Sequence, residues 1–263
     1  NTSPKQGNGF FPTAYSPIPI LDPDTGLRNI ATRGGSEALG NKLKLSEKLS
    51  SFFSARYQDD NVRSYREFYD NTLRLLKSKD LDAFDISKEN SATREKFGLN
   101  KFGQGCLLAR RLVETGVRFV EVATDGWDMH NNLESEMEDL SPPLDQAYSA
   151  LIADLEARGL LDETLVVLAT EFGRKPQYSG NGRGHYPICY SSVLAGGGVK
   201  RGYVYGSSDQ DGALPNDPVT VPDLHATIGW AAGLPLQEKF QASSGRPFLV
   251  GGDKAKPVMD VFA

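Results

Sequence analysis

Apolar and polar positions change their period several times along this chain, and the changes divide it into segments. Residues 1–40 are rich in Pro, Gly, Asn and Asp and keep no period, so they read as an irregular arm lying over a surface. Helical spacing then takes over. Leu45, Leu49 and Phe52 follow it, as do Val62, Tyr65, Tyr69 and Leu76. Over Lys101–Gly116 the helix is better defined, with Phe102, Cys106, Ala109 and Val113 on one face and Gly116 as a left-handed stop.

Beyond Gly116 the pattern alternates between strand and helix. Residues 117–123 (Val-Arg-Phe-Val-Glu-Val-Ala) alternate like a strand and run into a polar loop from Thr124 to Asn132. Ser141-Pro142-Pro143 predicts a helix start, a capping hydroxyl followed by proline in the first turn. Leu144, Tyr148, Leu151 and Leu155 form its buried stripe, and Gly159 closes it. The near-continuous apolar run Thr164–Thr170 suits a strand buried on both faces of a parallel sheet. Ser191–Ala195 predicts another strand, ended by Gly196–Gly198, and Thr220-Val-Pro-Asp223 opens a helix running to Gly233.

The order predicts an α/β fold, a largely parallel central sheet flanked by helices. One domain over 1–263 is expected, with the arm at 1–40, a mainly helical part at 41–116 and the sheet at 117–263.

Composition narrows the function without naming it. A chain of 263 residues can bury a substantial core, and 39% hydrophobic with 24% charged residues is ordinary for a globular protein. A net charge of −5, with only short basic pairs such as Arg110-Arg111, argues against nucleic acid as a partner. No run approaches the roughly 18 apolar residues of a membrane span. The start, Asn1-Thr-Ser-Pro-Lys5, has neither a basic nor an apolar region of a signal peptide, so a mature or trimmed chain is expected. The two cysteines, Cys106 and Cys189, are expected as buried free thiols, with a disulfide as the alternative.

Ligands of open parallel sheets sit beyond the carboxyl ends of the strands. The first predicted strand leads into Asp125-Gly-Trp-Asp128-Met-His130, the second into Glu171-Phe-Gly-Arg174, and the next loop carries Gly182-Arg-Gly-His185. Two of the three histidines and several carboxylates therefore fall on one predicted edge. Asp128, His130 and His185 are candidate ligands for a divalent metal (Zn, Mn, Mg, Ca or Fe), because carboxylate oxygen with imidazole nitrogen suits such ions. Glu171 is a candidate ligand or base. Arg174 could be an anion-binding fork or a surface ion pair. Each also has an ordinary alternative, since a loop Asp often caps a turn and an isolated His is often structural. His225 reads as a packed or half-exposed helical residue, and Asp209-Gln-Asp211-Gly212 as a β-turn. No G-x-S-x-G, G-x-G-x-x-G or Walker pattern is present.

Several stretches together resemble one family: residues 107–120, Gly126-Trp-Asp-Met-His130, Glu171-Phe-Gly-Arg174, Gly182-Arg-Gly-His-Tyr-Pro187 and Leu194–Lys200. Tyr205-Gly-Ser207, Val221–Ile228 and the region Ala14–Pro17 agree as well. From about residue 10 to residue 250 the chain resembles DUF1501, a bacterial, mostly exported family commonly labelled sulfatase-like. The resemblance implies an alkaline-phosphatase-like fold, export to the periplasm, and metal-dependent hydrolysis of sulfate or phosphate esters. A small anionic ester or sulfated saccharide would be the substrate. It implies metal ligation by Asp128, His130 and His185, with Glu171 and Arg174 in catalytic roles. Three positions depart from it. Phe172 stands where the superfamily has a second ligand, Gly184 stands where the family has Asp, and residues 1–40 hold nothing like a first strand and nucleophile loop. The expectation is therefore a C-terminal part of an incomplete domain, inactive as it stands. The alternative is a non-catalytic exported binding or scaffold protein.

Overall fold

In a computed structural model the described residues are 7–9, 11, 15–27, 35–57, 60–242 and 244–263. The parts of the expected arm at 1–6, 10, 12–14 and 28–34, Ala14 among them, lie outside these residues. The chain forms two compact units, residues 1–87 with 240–247 and residues 88–239 with 248–263.

The first unit contains helices α1 (Gly35–Arg56) and α2 (Asp60–Lys77), followed by a 3-10 turn over Lys79–Phe84. The helical period read from Leu45, Leu49 and Phe52 is present in α1, but these side chains are 61%, 64% and 75% exposed rather than forming a covered stripe. Among the described residues of this unit, burial lies instead at Pro23, Ala83, Ile86 and Ala242. Gly26 (φ +58°) lies against the Phe84 carbonyl, where an added Cβ would come within 2.6 Å of the oxygen.

The second unit is built on α3 (Ser91–Phe97), α4 (Lys101–Glu114) and α5 (Leu133–Ala157). Asn90 and Asn100 cap α3 and α4 by accepting from Thr93 and Gly103 backbone amides. Gly116 (φ +90°) ends α4 as expected. Phe97, Cys106, Leu107 and Ala147 form the core of this bundle, with Phe102, Val122, Ala150 and Leu151 packed against it. A fully covered leucine such as Leu107 contributes about 1.5–3 kcal/mol by leaving water. At Gly103 an added Cβ would lie 2.0 Å from the Phe97 carbonyl oxygen, so only glycine lets α3 and α4 approach this closely. Gln104, fully buried, donates to the Gly98 and Arg94 carbonyls at 2.9 and 3.0 Å and accepts from Arg94 Nε at 2.7 Å.

Arg110 lies inside the same bundle with 1% of its side chain exposed. Its Nη1 donates to Glu114 at 2.8 Å. Nε and Nη2 stand 2.8 Å from Asp154 and 2.9 Å from Glu89, off the line of a good hydrogen bond, so those two contacts are chiefly ionic. Arg111 reaches Glu89, and Arg158 joins Glu114 and Asp154 at 2.7 and 2.9 Å. Three arginines and three carboxylates thus tie α4 to α5 and to the segment before α3.

The expected alkaline-phosphatase-like α/β fold, with its largely parallel central sheet, does not form. The chain is 44% helical, and its described strands make only short antiparallel pairs. Residues 117–123, predicted as a strand, have no strand pairing, and Phe119 is 76% exposed. Of Thr164–Thr170 only β1 (Val166–Leu168) is a strand, and its residues are half-buried. Two short strands follow, β2 (Gly173–Arg174) and β3 (His185–Tyr186). Next comes β4 (Val193–Ala195), which pairs antiparallel with β1, Val167 opposite Leu194. An apolar run signals burial but carries no information about the direction of its partner, which is why the parallel reading failed. Gly196 and Gly197 do close this pair. Added Cβ atoms there would lie 2.3 Å from the Thr164 oxygen and 2.9 Å from Leu165 Cβ.

Helix α5 also starts earlier than expected. It begins at Leu133, and Pro142 and Pro143 lie inside it rather than at its first turn. Its lower stripe matches the prediction, with Leu155 buried and Leu144, Tyr148 and Leu151 half-buried. Near the C-terminus β5 (Ser207–Ser208) and β6 (Pro215–Asn216) form a hairpin around Asp209–Gly212, the predicted β-turn. Asp209 Oδ1 accepts the Ala213 amide at 2.6 Å. Thr220 and Asp223 form a capping box that opens α6 (Val221–Ala231), where the sequence predicts a helix start. Hydrogen bonds from Thr220 and then from the Lys256 amide hold the Asp223 carboxyl below its ordinary range. Both cysteines are free, Cys106 buried and Cys189 half-buried.

Candidate metal centre

The loop 124–132 carries two of the candidate residues on one side. Met129 is buried at 5% exposure and anchors the loop, so Asp128 and His130, one residue to either side of it, face outward together. A second segment, 179–186, brings in His185. The two are locked backbone to backbone. Arg183 N donates to the Met129 carbonyl at 3.0 Å and Leu133 N to the Asn181 carbonyl at 2.9 Å. Asn181 Nδ2 also donates to Asn132 Oδ1 at 2.9 Å. Gly182 lies so close to His130 that an added Cβ would sit 2.1 Å from the His130 carbonyl carbon. Asn132 adopts φ +54° and turns the chain into α5. The αL turn and its anchoring at Asn181 explain why α5 begins at Leu133.

The third contribution comes from the β2–β3 hairpin, whose register sets Arg174 opposite His185. Glu171 and Phe172 precede it. The candidates therefore do converge, although an antiparallel hairpin and a docked loop bring them together rather than a parallel strand edge.

Their contacts centre on a single atom. Asp128 Oδ1 lies 2.9 Å from His185 Nε2 and 3.2 Å from His130 Nδ1, and it accepts a hydrogen bond from Arg174 Nη1. Hydrogen bonds from His185 and then Arg174 hold the Asp128 carboxyl below the usual range despite its exposure. Arg174 Nη2 donates to Glu171 Oε1 at 3.2 Å. The histidine rings meet edge to face with centroids 4.8 Å apart. Phe172, absent from the sequence-based site, forms a wall of the cluster. Its ring lies 4.7 Å from that of His185 and under the Arg174 guanidinium at 5.4 Å. The side chains of Asp128, His130 and His185 are 63%, 48% and 48% exposed, so the cluster opens to water.

One ligand atom from each of Asp128, His130 and His185 lies within 4.8 Å of the others. A tetrahedral ion with bonds of about 2.1 Å places its ligand atoms about 3.4 Å apart. The two carboxylate–imidazole distances already fall just inside that value, and outward motion of exposed side chains is enough to accommodate an ion. The donor set fits a borderline divalent cation such as Zn²⁺.

Gly184, where the resemblance led to an expected carboxylate, has open space around it; an added Cβ would touch only the Lys175 side chain at 3.6 Å. It precedes His185 in extended chain, so a side chain there would point to the opposite face and could not join the cluster. His225 lies on an exposed part of α6 and joins no group of potential metal ligands among the described residues. A separate depression of about 520 Å³, with Tyr205, Asp223, Lys254, Lys256 and Asp260 among its lining, shares no residue with the cluster.

The fold and cluster define a helix-rich protein with a docked-loop carboxylate–imidazole site on its surface. The chain belongs to the DUF1501 family, described as a protein of unknown function, whose family model matches residues 1–262. No curated protein and no solved structure matches it. No helix among the described residues is long and apolar enough to cross a membrane.

Proposed function

We propose that the chain holds a divalent cation at Asp128, His130 and His185 and presents it, beside Arg174, to the oxyanion of a small anionic ester. The observation that carries this is the convergence of His185 Nε2 and His130 Nδ1 on Asp128 Oδ1 at 2.9 and 3.2 Å. A bound cation would supply a Lewis acid for an ester oxygen. The chain's own groups do the remaining work. Arg174 offers a planar fork that matches sulfate, phosphate or carboxylate oxygens. Glu171 holds that fork in place, and Phe172 restricts the ring of His185. A sulfate or phosphate ester, including a sulfated saccharide, is the substrate class that this pairing and the family resemblance support. The same resemblance supports export.

A second reading, a non-catalytic binding protein, is favoured by the exposure of the cluster. Electrostatic catalysis depends on excluding water, and side chains 48–63% exposed do not exclude it. One experiment separates the readings. Zn²⁺ and Mn²⁺ content of the protein and of His130→Ala is measured together with turnover of aryl sulfate and aryl phosphate. Ester hydrolysis requires both metal and turnover to vanish in the variant. Metal without turnover leaves a cation-holding chain that does not hydrolyse these esters, and absence of metal from the unaltered chain rejects the hydrolase reading and selects the non-catalytic binding or scaffold reading.

A further inference from the structure

Arg174 occupies the place a cation needs. Its Nη1 hydrogen-bonds to Oδ1 of Asp128, the same oxygen that His185 Nε2 and His130 Nδ1 approach. A cation bonded to Oδ1 at about 2.0–2.2 Å would find the guanidinium within a few ångströms, like charge against like charge. The oxygen is also crowded, since a guanidinium and two imidazole nitrogens already converge on it. Arginine cannot relieve the conflict by losing its proton.

The surroundings provide a second resting place. Arg174 Nη2 is already bonded to Glu171 Oε1 at 3.2 Å, and the guanidinium lies 5.4 Å over the face of Phe172. If the Asp128 contact breaks, a carboxylate and an aromatic face still hold the group beside the cluster, with its Nη1 edge free.

We propose that Arg174 is a built-in counter-ion that a divalent cation must displace from Asp128, so that metal entry releases the guanidinium to the Glu171–Phe172 side as an anion receptor. This rests on the cation reading above and adds an order of events to it. Without metal, Arg174 neutralises Asp128 and is closed to ligands. With metal, the cation takes Asp128 and Arg174 turns outward. Metal and oxyanion therefore favour each other's binding through the arginine, besides any direct contact between them. Arg174 acts here as a positioning residue that sets the affinity for metal.

The test is Zn²⁺ affinity, read by competition with a chromophoric chelator, for the unaltered chain, Arg174→Gln, Glu171→Gln and the double variant. All altered side chains are at least partly exposed, and far-UV circular dichroism checks that each variant is folded. Removing a competing cation should tighten Zn²⁺ binding by about tenfold or more, within the usual 5–150-fold range of coupling between sites. Glu171→Gln should weaken Zn²⁺ about threefold or more when Arg174 is present, because the displaced arginine loses its alternative partner, and should have no effect in the Arg174→Gln background. Zn²⁺ bound equally or more weakly by Arg174→Gln overturns the proposal and leaves the metal site standing. Loss in both Glu171 backgrounds makes Glu171 a ligand and overturns its holding role. Zn²⁺ bound by neither the unaltered chain nor Arg174→Gln overturns the metal reading and this proposal together.

Discussion

Two clusters in the second unit both join arginine to carboxylates and differ in burial. Around Arg110, three arginines and three carboxylates lie between helices, and Arg110 itself is 1% exposed. Around Asp128, one arginine meets two carboxylates and two imidazoles, and the candidate ligand side chains are 48–63% exposed. At the buried centre of the first cluster neither Arg110 nor Glu89, 1% and 11% exposed, can leave without stranding the other in low dielectric, so the pairs act as a permanent clamp. In the exposed cluster water can take over from any partner, so one partner can be exchanged for a ligand at little cost. Burial, more than residue identity, separates structural ion pairs from exchangeable ones.

The largest expected effect follows from breaking the buried cluster. Arg110→Met leaves Glu89, Glu114 and Asp154 without their common partner and should cost about 3 kcal/mol of unfolding free energy. Arg174→Met should stay within about 0.5 kcal/mol. Urea denaturation of both variants measures the contrast, and equal losses would break the comparison.

Gly182→Ala attacks the exposed cluster through its backbone. The added Cβ has no room beside His130, so the two loops must part and His185 must leave Asp128. Zn²⁺ affinity should fall about 10–100-fold, the usual effect of losing the groups that orient ligands, while helical circular dichroism is retained.

Acid should open the buried cluster selectively. Burial pushes Glu89 up, but the hydrogen bond from Arg111 and the adjacent Arg110 guanidinium outweigh it and leave the carboxyl below its ordinary range. Glu114 behaves likewise, with Arg110 and Arg158 outweighing its burial. A carboxyl lowered in the folded state binds fewer protons there than in the unfolded chain. The stability it contributes is complete above the unfolded value, about 4.3 for Glu, and is lost as pH falls through the lower folded value. Thermal melts should therefore begin to drop below about pH 4.3. Replacing Glu89 and Glu114 by Gln should flatten that slope, and an unchanged slope would detach acid sensitivity from this cluster.

The smallest effect concerns reactivity. Burial pushes the Cys106 thiol up to about 12, beside the same helix core. Thiol reagents at neutral pH should leave it unmodified in the folded chain and label it on unfolding. Rapid labelling of Cys106 would show that the helical core opens.

Much of the helical part was legible in the sequence. The apolar face at Phe102 and Cys106 and the stop at Gly116 mark α4, and Thr220-Val-Pro-Asp223 marks the start of α6, because helical period and caps are local properties. The sheet was not legible. Thr164–Thr170 and Ser191–Ala195 announced burial, but pairing direction depends on contacts distant in sequence. Pro142 and Pro143 misplaced the start of α5 because Asn132 and Asn181 set it from outside the helix. Asp128, His130, Glu171, Arg174 and His185 could be named from their chemistry. Their actual geometry could not, since it depends on Gly182 fitting against His130 and on the register that sets Arg174 opposite His185.

The most direct measurement of the central claim is the number of Zn²⁺ ions bound per chain, with His185→Ala and His225→Ala compared with the unaltered protein. The account predicts one ion per chain, affinity reduced at least about tenfold by His185→Ala, and no change in His225→Ala, whose histidine lies on an exposed turn of α6 away from the cluster. Equal binding by all three proteins, or equal loss in both variants, would contradict it.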